Sequence, residues 1–227
     1  MLSSQNISDR QPRRFSSDNM ANYEYIVASL PDITTGWKFG EKGPEDYIEE
    51  ILSLCSDKDR ELVGFFLDGY QDENLGIEFY AKALTHDDTF IRKFFLFDLN
   101  VRNAKVKYLN KALGRPAGKD VLSFPEETDQ KVLDAVSEEF EEAADLDTVL
   151  NLGDILSRER GIDDLVWEKI DNLTTFNYFD IDAILGFIAK LNIVARWFKL
   201  DEQTGREMFK KLVDEVRGTF KGVEYNG

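Results

Sequence analysis

The most regular pattern in the sequence is a stripe of apolar residues that recurs every three or four positions from residue 90 onward. Its members are Phe90, Phe94, Phe97, Val101, Ala104, Tyr108 and Ala112. Because residues three and four apart share one face of an α-helix, this spacing predicts a single long amphipathic helix. Thr85 to Asp88 has the spacing of a capping box and predicts its start, and Gly114 predicts its end.

Shorter apolar segments precede this helix. Tyr23 to Leu30 is apolar and is closed by Pro31, so the pattern fits either a strand or one buried helical turn. Pro44 is well placed as the first residue of a helix. Ser56 to Asp59 predicts the capped start of another helix, and Leu75 to Leu84 a further one.

The second half repeats this organisation. Pro125 and the acidic turn after it predict a helix that runs through Phe140. Asp147 is placed to cap a helix that reaches Arg160 and ends at Gly161, since glycine commonly follows the last helical residue. Asp163 then predicts the cap of a short helix containing Val166 and Ile170.

Two more helices are predicted near the end of the chain. Asp180 caps one whose apolar face runs from Ile184 to Phe198, and Asp201 begins the last, which Gly218 ends. About nine helices with short connections predict an all-α fold, a multi-helix bundle.

The domain organisation follows from the same pattern. Residues 1–19 are rich in polar residues and predict a disordered leader, residues 20–218 form the helical domain, and residues 219–227 are a tail. The polar stretch from Gly114 to Pro125 is a candidate boundary between two similar lobes. A faint likeness between Asp98 to Arg102 and Lys190 to Ile193 would support two lobes, although chance also explains it.

The leader itself has two readings. Three arginines against two aspartates give it a charge of +1, and it lacks the apolar stretch of a secretory signal. Met20 is then a plausible true start. The alternative is a short basic tail that contacts a partner.

The charge balance disfavours two classes of partner, nucleic acid and anionic lipid. The 227 residues include 28 basic and 44 acidic side chains, a formal net charge of −16. Nucleic-acid binding is disfavoured because it depends on clustered Lys and Arg, and the same charge disfavours docking on anionic lipid. An acidic body suits high solubility or a partner with a basic face.

Cysteine usage and hydropathy bear on the compartment. Cys55 is the only cysteine, so no intrachain disulfide exists, which fits a reducing cytoplasmic setting. No apolar run reaches the roughly 18 residues that span a bilayer. We therefore expect no direct membrane insertion.

The side chains that carry catalysis are scarce. His86 is the only histidine and lies at a predicted helix start, where a role in the cap is favoured over acid–base chemistry. A metal site from His86, Asp87 and Asp88 is disfavoured because adjacent helical residues point in different directions. Cys55 has no obvious base beside it. The sequence predicts no catalytic residue, cofactor or metal.

Two polar clusters are candidates for binding. Leu99 to Asn103 interrupts the Phe-rich helix, and its Asn and Arg side chains would bond either to a neighbouring helix or to a partner. The carboxylates that flank Phe140, from Glu138 to Glu142, fit a solvated helix face or a contact for a basic partner.

Three segments resemble a small bacterial family encoded within the operons of V/A-type rotary ATPases. They are Tyr23 to Pro31, Phe95 to Arg102, and Leu191 to Trp197. The last two are also distantly similar to helices of the C/d-type subunits of V-type ATPases, which cap the rotor ring and receive the central stalk. The resemblance covers most of residues 20–218, although the C/d-type proteins have three lobes and this chain has room for about two.

The resemblance implies a non-enzymatic, peripheral subunit or accessory factor in the cytoplasm. Its partners would be other ATPase subunits, those of the central stalk and of the membrane rotor ring. Within the resembling segments, Asn100, Arg102 and Arg196 are the candidate partner-binding residues. The alternatives are a helical scaffold or regulatory module unrelated to ATPases, and an enzyme that uses carboxylates with a divalent metal.

Overall fold

A computed structural model describes residues 23–199. The predicted leader, the helix from Asp201 and the tail at 219–227 lie outside these residues. The described part is all-α, as predicted, with nine helices and no strand. The helices are α1 Tyr23–Ser29, α2 Pro44–Leu54, α3 Asp57–Asp68, α4 Ile77–Leu84, α5 Thr89–Ala112, α6 Gln130–Val136, α7 Ala143–Leu150, α8 Ile155–Thr174 and α9 Ile181–Lys199.

Several helix ends lie where local chemistry predicted them. Pro44 is the first residue of α2, and Ser56 Oγ accepts a hydrogen bond from the backbone N–H of Asp59 at the start of α3. Asp180 accepts from the N–H of Ala183 at the start of α9. Gly114 adopts a φ of 62° just after α5, a left-handed conformation that glycine tolerates.

Two predicted boundaries are wrong by a few residues, and one open choice is decided. The cap of α5 is Asp88, whose Oδ1 accepts from the N–H of Ile91 at 2.9 Å, rather than Thr85. Segment 23–30, left open between strand and helix, is helical over α1. Phe140 lies beyond the end of α6 and packs its ring against Phe97 of α5.

The predicted helix from Asp147 to Arg160 is also wrong. The chain forms α7 and then a new helix, α8, capped by Asp154 through the N–H of Ser157 at 2.8 Å. Gly161 lies inside α8, where a Cβ would come within 2.7 Å of Val149 Cγ1 on α7. The glycine therefore permits close packing of two helices and does not end one.

The main core surrounds α5 and α9. Most of α9 is buried, and it packs against α1, α2, α3 and α8. The N-terminal half of α5 supplies a cluster of phenylalanines that interlock with α3 and α4. Burying these rings stabilises the fold through both area and ring-edge contacts.

A second, smaller core lies at the other end of α5. Its buried members are Phe97, Val101, Leu146, Leu150 and Ile162, from α5, α7 and α8. The polar connection after α5 returns along this helix. The side-chain amide of Asn103 on α5 forms two hydrogen bonds of 2.9 Å with the backbone of Leu122. This side chain therefore holds the connection against α5.

No helix within residues 23–199 is both long enough and apolar enough to cross a bilayer.

Candidate functional site

Arg102 projects from α5 and is held by a carboxylate one turn earlier on the same helix. Its Nε donates to Asp98 Oδ2 at 2.7 Å, and the hydroxyl of buried Tyr80 on α4 donates to the same oxygen at 2.5 Å. Burial and the Asp98 carboxylate raise the pKa of Tyr80, so the phenol remains a donor. The Arg102 side chain is still 39% exposed.

Arg196 is held in a closely similar way. Its guanidinium donates to Asp163, which is buried in the interior of α8 and is therefore not the helix cap that the sequence predicted. Trp197 Nε1 donates to the same oxygen at 2.5 Å, and Arg160 stacks on the Trp197 ring with its Cζ 3.8 Å from the ring centroid. The Arg196 side chain is 46% exposed.

The two arginines share one arrangement on different helices, because each is held by a carboxylate to which an aromatic side chain also donates. We refer to Arg102 and Arg196, with their carboxylates, as the anchored arginines.

Asn100 lies elsewhere. It is two residues from Arg102 and hence about 200° away around α5. It lines a cleft of about 350 Å³ together with the acidic stretch 138–142. There Glu142 pairs with Lys169 at 2.6 Å. The structure thus brings Asn100 together with the acidic cluster, on a different face of α5 from Arg102.

His86 takes part in the start of α5. Its Nδ1 accepts the N–H of Asp88 at 3.0 Å, and its ring stacks on Phe65 with centroids 5.1 Å apart. Cys55 is buried, which raises the pKa of its thiol. Within residues 23–199 no three His, Cys, Asp or Glu side chains are grouped so as to hold a metal ion.

Asp182, in the first turn of α9, is the carboxyl with the clearest perturbation. Burial raises its pKa to about 6, and the carboxylates of Asp88 and Asp180 add to the rise. The amide of Asn177 opposes it by donating to Asp182 Oδ2 at 2.5 Å. The carboxyl therefore binds a proton more readily in the folded chain than in the unfolded one.

This difference predicts a pH-dependent effect of Asp182→Asn. The contribution of Asp182 to stability should fall as pH rises from about 4, near the unfolded pKa of Asp, to about 6, because the charged form is disfavoured only in the fold. The variant should therefore be more stable than wild type at pH 7 and similar to it near pH 4. Urea unfolding at both pH values measures the difference. An equal difference at both would assign the effect to packing and not to charge.

A further exposed apolar surface lies where α5 ends and α8 begins. The two helices run antiparallel, since Phe97, Lys105 and Tyr108 of α5 meet Lys169, Glu159 and Arg158 of α8 in turn. In this antiparallel arrangement the C-terminal end of α5 lies beside the N-terminal end of α8. The exposed apolar residues at this level, here called the distal patch, are Leu109, Leu113, Leu152, Ile155 and Leu156.

This surface was not predicted from the sequence, although the charge pattern of α5 marks the same region. Residues 102–119 contain six Lys or Arg and no Asp or Glu, in a chain with a net charge of −16. Such a segment is where an acidic protein concentrates its positive potential. A second exposed apolar site is the loop between α8 and α9, where Phe176, Tyr178 and Phe179 are largely solvent-exposed.

The comparisons with known proteins give one match. The sequence model of a family described as "Protein of unknown function (DUF2764)" matches residues 70–219, from the end of α3 to beyond α9. No curated protein and no solved structure matches the chain. Because the match covers well over half of the 227 residues, the chain belongs to the DUF2764 family.

Proposed function

We propose that this protein is a non-enzymatic subunit or accessory factor of a V/A-type rotary ATPase, and that it links or stabilises parts of the complex through its helix faces. The observation that carries the proposal is the pair of anchored arginines. Each lies on a helix that bears the resemblance to the C/d-type subunits, Arg102 on α5 and Arg196 on α9. Each is held by a carboxylate and remains partly exposed.

An arginine held in this way suits a protein interface. Its side chain loses much of its rotational freedom already in the free protein, so less entropy is lost when a partner binds. The planar guanidinium also offers several donors in a fixed geometry, and arginine is among the residues that contribute most at interfaces. The anchored arginines are therefore preorganised to donate hydrogen bonds to carboxylates or backbone carbonyls of another protein in the complex.

The proposed partners are subunits of the central stalk and of the membrane rotor ring. The proposed location is the cytoplasmic side of the membrane, in peripheral association with the complex. The net charge of −16 supports this arrangement, because charge complementarity orients an acidic protein against basic partner surfaces and rejects wrong partners.

The test is recovery of ATPase subunits with the tagged full-length protein from its own cells. Wild type should bring down ATPase A, B and D-type subunits, identified by mass spectrometry. The double variant Arg102→Lys and Arg196→Lys should recover about tenfold less, because lysine keeps a positive charge beside Asp98 and Asp163 but lacks the planar fork. Asn100→Ala should also weaken recovery, because Asn100 is the third proposed contact.

The matched control is Arg60→Lys. Arg60 is also a half-exposed arginine paired with a carboxylate, Asp57, but it lies on α3 outside the resembling segments. Unchanged recovery with all three test substitutions would remove these residues from the interface. The absence of ATPase subunits, in an extract where the ATPase is intact, would return the protein to the alternative of a helical scaffold unrelated to ATPases.

A further inference from the structure

We infer that the groove between α5 and α7 is a docking site for an amphipathic helix from another protein, with an acidic flank that faces α5. The groove has a volume of about 550 Å³. Its apolar lining residues are Ala104, Tyr108 and Ala112 of α5, Ala143, Leu146 and Leu150 of α7, and Phe140 from the connection before α7. The inference rests on the proposed function only in that the protein acts by binding other proteins.

The shape of the groove favours a helix as its occupant. Both walls are helices, and each carries alanine where it lines the groove, at Ala104 and Ala112 on α5 and at Ala143 on α7. Small side chains allow the backbone of a third helix to approach closely, and its apolar ridge would fill the space between the walls. Leu146 and Leu150 form part of the second core, so this lining is fixed by the fold.

The charge on the α5 side of the groove favours an acidic flank there, whereas Asp147, exposed on the α7 side, does not. Lys107 and Lys111 line the α5 side one helical turn apart, and both are exposed. Among the described residues neither forms an ion pair, whereas nearby Lys105 pairs with Glu159 at 3.0 Å. Glu or Asp at matching spacing on a partner helix would neutralise both lysines and would gain from partial exclusion of water.

The distal patch lies at the same end of α5 but does not line the groove. Leu109 is two residues from Lys107 and hence about 200° away around α5. A bilayer fits less well, because the site is concave and the rest of this acidic protein would be repelled by anionic lipid.

The test uses the full-length protein and two synthetic peptides that share one Leu/Ala face and are each about five turns long. One peptide carries Glu along the single flank that would face Lys107 and Lys111, and the other carries Lys along that flank. Fluorescence anisotropy should show binding of the Glu peptide, weakened by added salt, and at least about tenfold weaker binding of the Lys peptide. Lys107→Glu with Lys111→Glu should reverse this preference.

A steric variant tests the location of binding. Ala143→Trp places a large ring in the groove and should abolish binding of the Glu peptide. Ala144→Trp is its control, because Ala144 is also exposed on α7 but does not line the groove. Lys82→Glu, an exposed lysine on α4, controls for the change in overall charge.

Several outcomes would overturn the inference. Equal binding of both peptides, failure of the Glu peptide to bind, or Glu-peptide binding that survives Ala143→Trp would each do so. Sedimentation with vesicles of anionic phospholipid, without binding of the Glu peptide, would assign the surface to a membrane instead. Co-purification of ATPase subunits is measured separately, so a failure here leaves the proposed function intact, and loss of that co-purification leaves the groove intact.

Discussion

Replacing Gly69 with alanine is expected to lower the free energy of unfolding by about 2 kcal/mol, the cost typical of overpacking a close-packed core. A loss of stability is unusual for a glycine-to-alanine change at this backbone conformation. Gly69 has a helical φ of −69°, at which alanine normally stabilises a protein by reducing the freedom of the unfolded chain. The loss must therefore come from packing.

The packing around Gly69 leaves no room for a methyl group. A Cβ there would lie 2.3 Å from Cε1 and Cζ of Phe95 and 2.9 Å from Cζ of Phe79. Phe95 is only 1% exposed, and its ring is enclosed by the rings of Phe65, Phe66, Phe79 and Phe94. Because a rigid ring within such a cluster cannot turn aside, the whole cluster would have to shift.

Urea unfolding followed by circular dichroism measures the effect. Gly64→Ala is the matched control, since Gly64 lies in α3, one residue before Phe65, and a Cβ there meets nothing within 4 Å. That change should raise the stability by roughly 0.5–1 kcal/mol. Phe95→Leu should partly relieve Gly69→Ala in the double variant. Equal stability of Gly69→Ala and wild type would contradict the packing described here.

The long helix α5 was predictable because its determinants are local. Seven apolar residues at helical spacing and a glycine after the last turn are visible in any window of the sequence. The start of α9 was predictable for the same reason, since the Asp180 cap lies next to the helix it begins. Only the exact cap of α5 was misplaced, because Thr85 and Asp88 are both suitable capping residues.

The boundary between α7 and α8 was not predictable in this way. Gly161 looks like a helix end, and its true role depends on Val149, a residue of a different helix. Asp163 looks like a cap, and its true role depends on Arg196 and Trp197, more than 30 residues away. A local pattern cannot distinguish a glycine that ends a helix from one that permits close packing, or a capping aspartate from an ion-paired one, because tertiary contacts determine both roles.

For the candidate site, too, the local sequence predicted some features, whereas others depend on tertiary contacts. Arg102 and Arg196 could be chosen from the sequence, but the Asp163 carboxylate that holds Arg196 and the cleft that Asn100 shares with residues 138–142 could not. The groove is made by α5 and α7, which are joined through some 30 intervening residues, so neither helix reveals it alone. The lysines on its α5 side were visible in the sequence, within a run of cations without an anion.

Arg196→Ala is expected to cost about 2 kcal/mol at neutral pH. Removing one partner of a fully buried ion pair costs roughly 3–5 kcal/mol, because the other charge remains buried without compensation, and the half-exposed Arg196 side chain reduces this figure. Asp163 would keep only the hydrogen bond from Trp197 Nε1. The helix pair α8 and α9 would then enclose a carboxylate without its counter-charge.

The destabilisation should depend on pH in a direction that the structure fixes. Burial raises the pKa of Asp163, and Arg196 opposes that rise, so the pKa should increase further in Arg196→Ala. A carboxyl with a raised pKa in the fold stabilises it more as pH falls, because protonation removes the buried charge. The difference between Arg196→Ala and wild type should therefore shrink as pH is lowered toward 4.

Urea unfolding of both proteins at pH 7 and near pH 4 measures this change, and comparing variant with wild type at each pH cancels the titration of Asp182. Lys42→Ala is the control, because it removes an ion pair, with Glu50, whose side chains are both about half exposed. Such a pair contributes little to stability, and its loss should leave the two curves close together at both pH values. A destabilisation by Arg196→Ala that stays constant with pH would mean that Arg196 acts through packing on Trp197 and not by neutralising Asp163.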